Sequence, residues 1–279
     1  MKDPTSLPDA VDAAYSALLE LMRVLGEYRD EIVIIGGWVP YLIADDPNDP
    51  LSKHPGSMDI DLALDHKKLA EAGYQTIAGL LTDAGYKQEG DQPFRFSKSV
   101  NSLVVYVDLL AGTYEGTGES HRTQKFQGVR AGKARGADLV FEIEPTRLRR
   151  VGTLPDGSED AVTITVSSIV PFIVLKCFAM EDRMKAKDPF DIWYAINHFE
   201  SGLESTIEAF QPHLTKGHVV QALRILKDKF RSFESWGPNS VGGFDSALTL
   251  EEQELRQRDA FEKVQALLNR IEPSKVSDD

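Results

Sequence analysis

The stretch "GSMDIDLALD", Gly56 to Asp65, sets two acids one residue apart inside an apolar run. Met58, Ile60, Leu62 and Leu64 alternate with Asp59, Asp61 and Ala63. Alternation of that period predicts a β-strand. On a strand, Asp59 and Asp61 point to the same face, their Cα atoms about 6.6 Å apart. Two like charges side by side repel, and their own strand offers no basic neighbour. A carboxylate in apolar surroundings costs several kcal/mol unless it is paired or bound to metal. Asp108 sharpens the problem: it lies between Val107 and Leu109 in "SLVVYVDLLAG", which reads as a central strand. Three acids on apolar strands point to a cation, and carboxylate-only ligation favours a hard ion such as Mg²⁺. Two such ions about 3.5–4 Å apart can orient a nucleoside triphosphate and an attacking hydroxyl for in-line transfer.

Working outward, "EIVIIGG" is a β-branched run ending in Gly36 and Gly37, hence a buried strand entering a tight turn. Residues 9–28 have apolar side chains at helical spacing, including Val11, Ala14, Leu18, Met22 and Leu25. "WVPYLIA" predicts a short helix, the proline-rich 45–56 a loop, and 66–84 a longer helix. "FRFSKS" and "SLVVYVDLLAG" predict a strand pair around a turn at Asn101. Residues 112–136 show no period and read as a functional or mobile loop. "DLVFEIE" and "AVTITVS" predict two further strands, with "LPDGSED" turning between them. Ser168 is expected to cap the helix "IVPFIVLKCFAMEDRM", and Asp188 the helix "DPFDIWYAINHF". A last helix is expected near 249–271. The layout is α/β (α+β): an N-terminal helix over 1–30, a mixed-sheet domain over 31–167 and a helical domain over 168–279.

The 279 residues suffice for a real core, and 42% hydrophobic with 27% charged residues is a globular composition. No apolar run reaches the ~20 residues of a membrane helix. The N-terminus lacks a signal-peptide layout, and the single cysteine fits a reducing compartment, so a cytoplasmic protein is expected. One cysteine and six scattered histidines argue against structural zinc, and His54 and His66 read as surface residues. Net charge is −13, which counts against a nucleic-acid binder. Yet residues 121–150 carry +5 and the remainder −18. That segment reads either as a solvated loop or as a phosphate-attracting patch.

The ordered set "IIGGW", "SMDIDLAL" and "VYVDLL" resembles the minimal nucleotidyltransferase fold of the polymerase-β superfamily. Ser57 before Asp59, Lys176 within "FIVLKCFAM" and the segment "KDPFDIWYAI" make the chain similar to the AbiEii-like branch, nucleotidyltransferase toxins of toxin–antitoxin systems. The resemblance spans about residues 31–198. It implies that Asp59 and Asp61 hold two Mg²⁺ ions, that Asp108 completes the metal site, and that Gly36 and Gly37 let backbone approach the NTP. It gives Ser57 a phosphate contact and Lys176 the neutralisation of phosphate charge. Asp188 would position Lys176 or the base. Physical reading alone divides Lys176 evenly between a stem running along the core edge and a functional cation, and explains Asp188 as a helix cap. The gap from Gly37 to Asp59 is longer than usual for the family, and Trp38 stands where a small hydroxyl residue is often found. Trp38 reads as core, and Asp191 as less suited to catalysis than Asp188.

The implied activity is Mg²⁺-dependent transfer of an NMP from an NTP to an acceptor with release of pyrophosphate. The acceptor implied is tRNA, and the partner a cognate antitoxin. Arg130, Lys133 and Arg135 are candidates for holding that acceptor. The alternatives are a small-molecule nucleotidyltransferase of the aminoglycoside-modifying kind, whose acidic cleft would draw a polycation, and a catalytically silent binding module.

Overall fold

The computed structural model describes residues 7–44, 54–69, 76–112, 124–126 and 128–271. The chain forms two compact units. The first takes residues 1–42 and 55–168, the second residues 43–54 and 169–279. The N-terminal helix therefore belongs to the first unit, and a short early segment belongs to the second.

The first unit is built on an open mixed sheet. Its strands among the described residues are β1 (Ile32–Ile35), β2 (Asp59–Leu64), β3 (Lys87–Gln88), β4 (Arg95–Val100), β5 (Leu103–Gly112), β6 (Gln124–Phe126), β7 (Val129–Ala134), β8 (Thr146–Thr153) and β9 (Glu159–Val166). Their order is β3-β4-β5-β2-β1-β9-β8, with β7 joining β5 beyond the end of β4 and β6 pairing β7. β2 runs antiparallel to β1 and parallel to β5. Alternation sorts the two faces. Ile34, Leu62, Leu109 and Ile164 are fully buried on the face beneath the helix Leu7–Val24. Asp59, Asp61, Tyr106 and Asp108 stand on the other. Lys98 in β4 pairs with Glu20 of that helix at 2.6 Å, and Leu19 fills the space a side chain at Gly152 would need.

Several expectations need correction. The helix expected over 66–84 is described as His66–Leu69 and Ile77–Asp83; residues 70–75 lie outside the described residues. Of the expected loop 112–136, residues 113–123 and 127 lie outside them too, but 124–126 and 129–134 pair as β6 and β7. "DLVFEIE" is not a strand. Leu139–Glu142 closes one helical turn that buries Leu139 and Val140 together, which a strand would have sent to opposite faces. The partner of β9 across the "LPDGSED" turn is β8, whose basic side chains masked its alternation.

The second unit is helical. Ile169–Arg183, Lys187–His198, Leu203–Phe210, Gly217–Lys229, Trp236–Gly242 and Leu250–Ile271 enclose Phe172, Phe210, Phe230 and Leu267. Ser168 does not cap the first of these helices: its hydroxyl is buried and makes no hydrogen bond. Asp188 does not cap the second. That helix starts two residues earlier, at Lys187 with Ala186 at the cap position, and the Asp188 side chain is used elsewhere. No helix among the described residues is long and apolar enough to cross a membrane.

Candidate functional site

Four strands bring the acids of the first unit to one level. Ile35 pairs with Asp61, Asp61 with Asp108, and Asp108 with Arg95, so β1, β2, β5 and β4 each contribute one residue to a line across the sheet. Neighbouring strands are about 4.8 Å apart. Asp59 lies one step back, beside Tyr106. Asp59 is exposed, Asp61 half-buried, and Asp108 buried at 9% exposure.

Arg95 brings a positive charge to this acidic face. Its Nε donates to Asp108 Oδ1 at 2.7 Å and its Nη2 to Oδ2 at 2.6 Å. The guanidinium also lies 5.2 Å from the centre of the Tyr106 ring. The hydrogen bonds it donates to Asp108, with added attraction from Asp108, Asp59 and Asp61, raise the Arg95 pKa above its ordinary value. Nothing in the sequence around "FRFSKS" marks this arginine. Only the antiparallel register of β4 on β5 sets it opposite Asp108.

Gly36 explains the turn that follows β1. Its φ is +72°, and a Cβ built there would meet the Asp61 carboxylate, with Cγ at 2.9 Å. The space left by the missing side chain is thus filled by Asp61. Gly37 and Trp38 behind it are buried, and Trp38 packs in an aromatic cluster with Tyr15 and Tyr41, so it is core. Ser57 is half-buried just before β2.

The donors suit a divalent cation. They are hard oxygens on one face of adjoining strands, open enough for water to complete a coordination shell. The Arg95 fork takes one lone-pair direction on each Asp108 oxygen, and a carboxylate offers about four. Among the described residues no three His, Cys, Asp or Glu side chains already converge on one point.

The second unit holds a separate cluster, which the sequence reading only partly anticipated. Lys176 does not run along the core edge. It is 5% exposed, donates to Asp188 Oδ1 at 2.9 Å and lies 2.6 Å from Asp191 Oδ2. Arg183 forks onto Asp188 at 2.9 and 3.0 Å. Asp191, judged the lesser of the two acids from sequence, is the more central: Lys187 donates to it at 2.8 Å and His54 Nε2 lies 2.9 Å away. His54 is no surface residue; it is 2% exposed and packed against Phe190 and Tyr194. His66 is half-buried, 3.9 Å from Asp138.

Burial would raise the Asp191 pKa, but Lys176 and Lys187 overcome it and hold the group well below the usual carboxylate range. Burial would lower Lys176, and the two aspartates reverse that. For His54 burial wins over Asp191, and its pKa falls to about 4. His54 is therefore neutral near pH 7 and donates through Nε2–H. Cys177, beside Lys176 in sequence, is buried and its thiol pushed up by burial, so it is inert.

Comparison with protein-family models gave no match, and comparison with curated proteins gave none either.

Among the described residues, the basic segment 121–150 is not one patch. Arg130, Lys133 and Arg135 lie on β7 and the turn after it, beside β5; Arg147, Arg149 and Arg150 lie on β8, at the far edge of the sheet. Arg147 pairs with Asp30 and Arg150 donates to the Leu42 carbonyl. Gly132 pairs with Leu110, which shares the face of Asp108. Alternation then sets exposed Arg130 on the acid face and half-buried Lys133 on the other.

Proposed function

We propose that the protein is a nucleotidyltransferase of the polymerase-β superfamily, moving an NMP from an NTP to an acceptor hydroxyl and releasing pyrophosphate. The observation that carries this reading is the line Ile35–Asp61–Asp108 across β1, β2 and β5, with Asp59 one step away and the Gly36 turn closed against Asp61. It sets Asp108 on the same face as Asp59 and Asp61, which lie far from it in the sequence. Mg²⁺ bound there by Asp59, Asp61 and Asp108 would neutralise triphosphate charge and polarise the reacting phosphoryl group. The chain's own residues do the rest. Asp61 is packed against the glycine turn, and Asp108 is paired with Arg95. Asp108, with its burial and its place at the centre of the line, is the candidate for accepting the acceptor's proton. Ser57 lies next to this strand and is assigned a phosphate contact by the resemblance. The resemblance gives Lys176 the neutralisation of phosphate charge and Asp188 its positioning; what supports this is only the 2.9 Å bond between the two, within a buried cluster that also holds Asp191.

For the acceptor, the AbiEii-like resemblance points to the 3′ end of a tRNA, and toxin activity restrained by an antitoxin follows from the same resemblance. Arg130, on the acid face, is the residue best placed to meet a nucleic-acid phosphate. A second reading has its own support. Among the described residues, the basic residues of 121–150 that lie on β7 and β8 form no continuous track, while the sheet face between carries Asp59, Asp61 and Asp108; a small polycation suits that face better than RNA.

The test is incubation with Mg²⁺, each labelled NTP in turn, and either total RNA or a panel of aminoglycosides. Label in tRNA supports the first acceptor, label in the small molecule the second. Asp59→Asn and Asp61→Asn should each abolish transfer and leave the circular-dichroism spectrum unchanged. Near-normal turnover in either variant at saturating Mg²⁺ would remove the assignment.

A further inference from the structure

We infer that Arg95 is an internal stand-in for the metal, pairing with Asp108 when the acid face holds no divalent cation and yielding it when one binds. The inference rests on the nucleotidyl-transfer reading of this face and names a residue that the sequence motifs do not contain. Three observations carry it. The fork is complete, with both Asp108 oxygens engaged at 2.7 and 2.6 Å. The guanidinium is also drawn by Asp59 and Asp61, so it sits in the field of all three acids. And Arg95 has somewhere to go: its side chain is 26% exposed and already lies over the Tyr106 ring, which borders Asp59 on the same face.

The physical reason is charge balance. Three carboxylates on adjoining strands repel, and a fixed cation among them lowers that cost in the metal-free protein. A divalent cation entering the same line does the job better. It meets a guanidinium of like charge, whose nearest carboxylate it needs. Metal binding and the Arg95–Asp108 pair therefore compete. The freed guanidinium stays beside the site, where it suits a triphosphate oxygen.

Two measurements test this without using activity. The first is Mn²⁺ affinity, from the electron paramagnetic resonance of free Mn²⁺, for the wild type, Arg95→Gln and Asp59→Asn. The second is the nitrogen-15 signal of the Arg95 Nε–H, identified by its loss in Arg95→Lys, followed as Mg²⁺ is added to the wild type. The expected results are Mn²⁺ affinity about tenfold or more higher in Arg95→Gln, and an Nε–H protected from solvent exchange without metal that loses protection as the site fills. If the wild type binds Mn²⁺ in an Asp59-dependent way but Arg95→Gln binds it no tighter, the inference fails and the functional reading stands. An Nε–H that stays protected at saturating Mg²⁺ has the same consequence, making Arg95 a permanent brace for Asp108. If neither the wild type nor Arg95→Gln binds Mn²⁺, both fall.

Discussion

Burial holds His54 near a pKa of about 4, although Asp191 beside it pulls the other way. In the unfolded chain the imidazole titrates near 6.5. The folded state thus refuses a proton that the unfolded state accepts. Stability is fully present above about pH 6.5 and is lost as pH falls from there toward 4, by up to roughly 3 kcal/mol. Urea midpoints at pH 7.5 and 4.5 should show the drop, and His54→Gln, which keeps a donor for Asp191 but cannot titrate, should flatten it. The depressed carboxyls of Asp188 and Asp191 contribute stability above their ordinary range, which is lost at still lower pH. Truncation should follow burial as well. Asp191→Ala leaves Lys176 and Lys187 without their shared carboxylate in a site that excludes water, and should cost about 3–5 kcal/mol. Arg147→Ala breaks a pair whose two side chains are both largely exposed, and should cost under about 1 kcal/mol.

At the level of elements, β2 depends on the turn that precedes it in space. Gly36 at φ +72° is both a backbone requirement and a clearance requirement, because Asp61 fills the volume beside it. Gly36→Ala should cost about 1–2 kcal/mol from the left-handed backbone alone. It should also displace the Asp61 carboxylate. A double-mutant cycle with Asp61→Gly separates the two: the second change should recover the steric part of the loss in melting temperature and leave the backbone part. If the cycle shows no coupling, Asp61 does not pack on Gly36 in solution. The strand assignments carry a related lesson. β8 went unread because three arginines sit on it, although its exposure alternates residue by residue. "DLVFEIE" was read as a strand because an apolar run this short fits either a strand or a buried helical turn.

At the scale of the whole molecule, the +5 segment decides less than its sequence suggested. Arg130 and Lys133 lie on β7, and Arg147, Arg149 and Arg150 on β8, with β5, β2, β1 and β9 between the two strands. If RNA is the acceptor, only those near β5 can share a phosphate backbone with the acid face. Arg130→Ala should weaken RNA binding and lower the slope of log affinity against log salt by about 1. Arg149→Ala should leave both unchanged. Filter binding of tRNA over a range of salt reads the two variants side by side. Equal effects would show that RNA uses the net field of the molecule and not this face.

The sequence alone determined the elements whose signal is local. The alternation of "MDIDLAL", the Gly-Gly after a β-branched run, the hairpin at Asn101 and the helical C-terminal half are patterns of neighbouring residues, and each stands in the structure as a strand, a turn or a helix. It also singled out Asp59, Asp61 and Asp108, because acids inside apolar strands contradict their surroundings. What pairs with those acids was a tertiary matter. Arg95 meets Asp108 only through the register of two antiparallel strands, and His54 meets Asp191 across 137 positions of sequence. A charge buried with its partner looks, residue by residue, like a charge on the surface. Its environment is created by the fold, and no window of sequence short enough to show periodicity contains both halves of the pair.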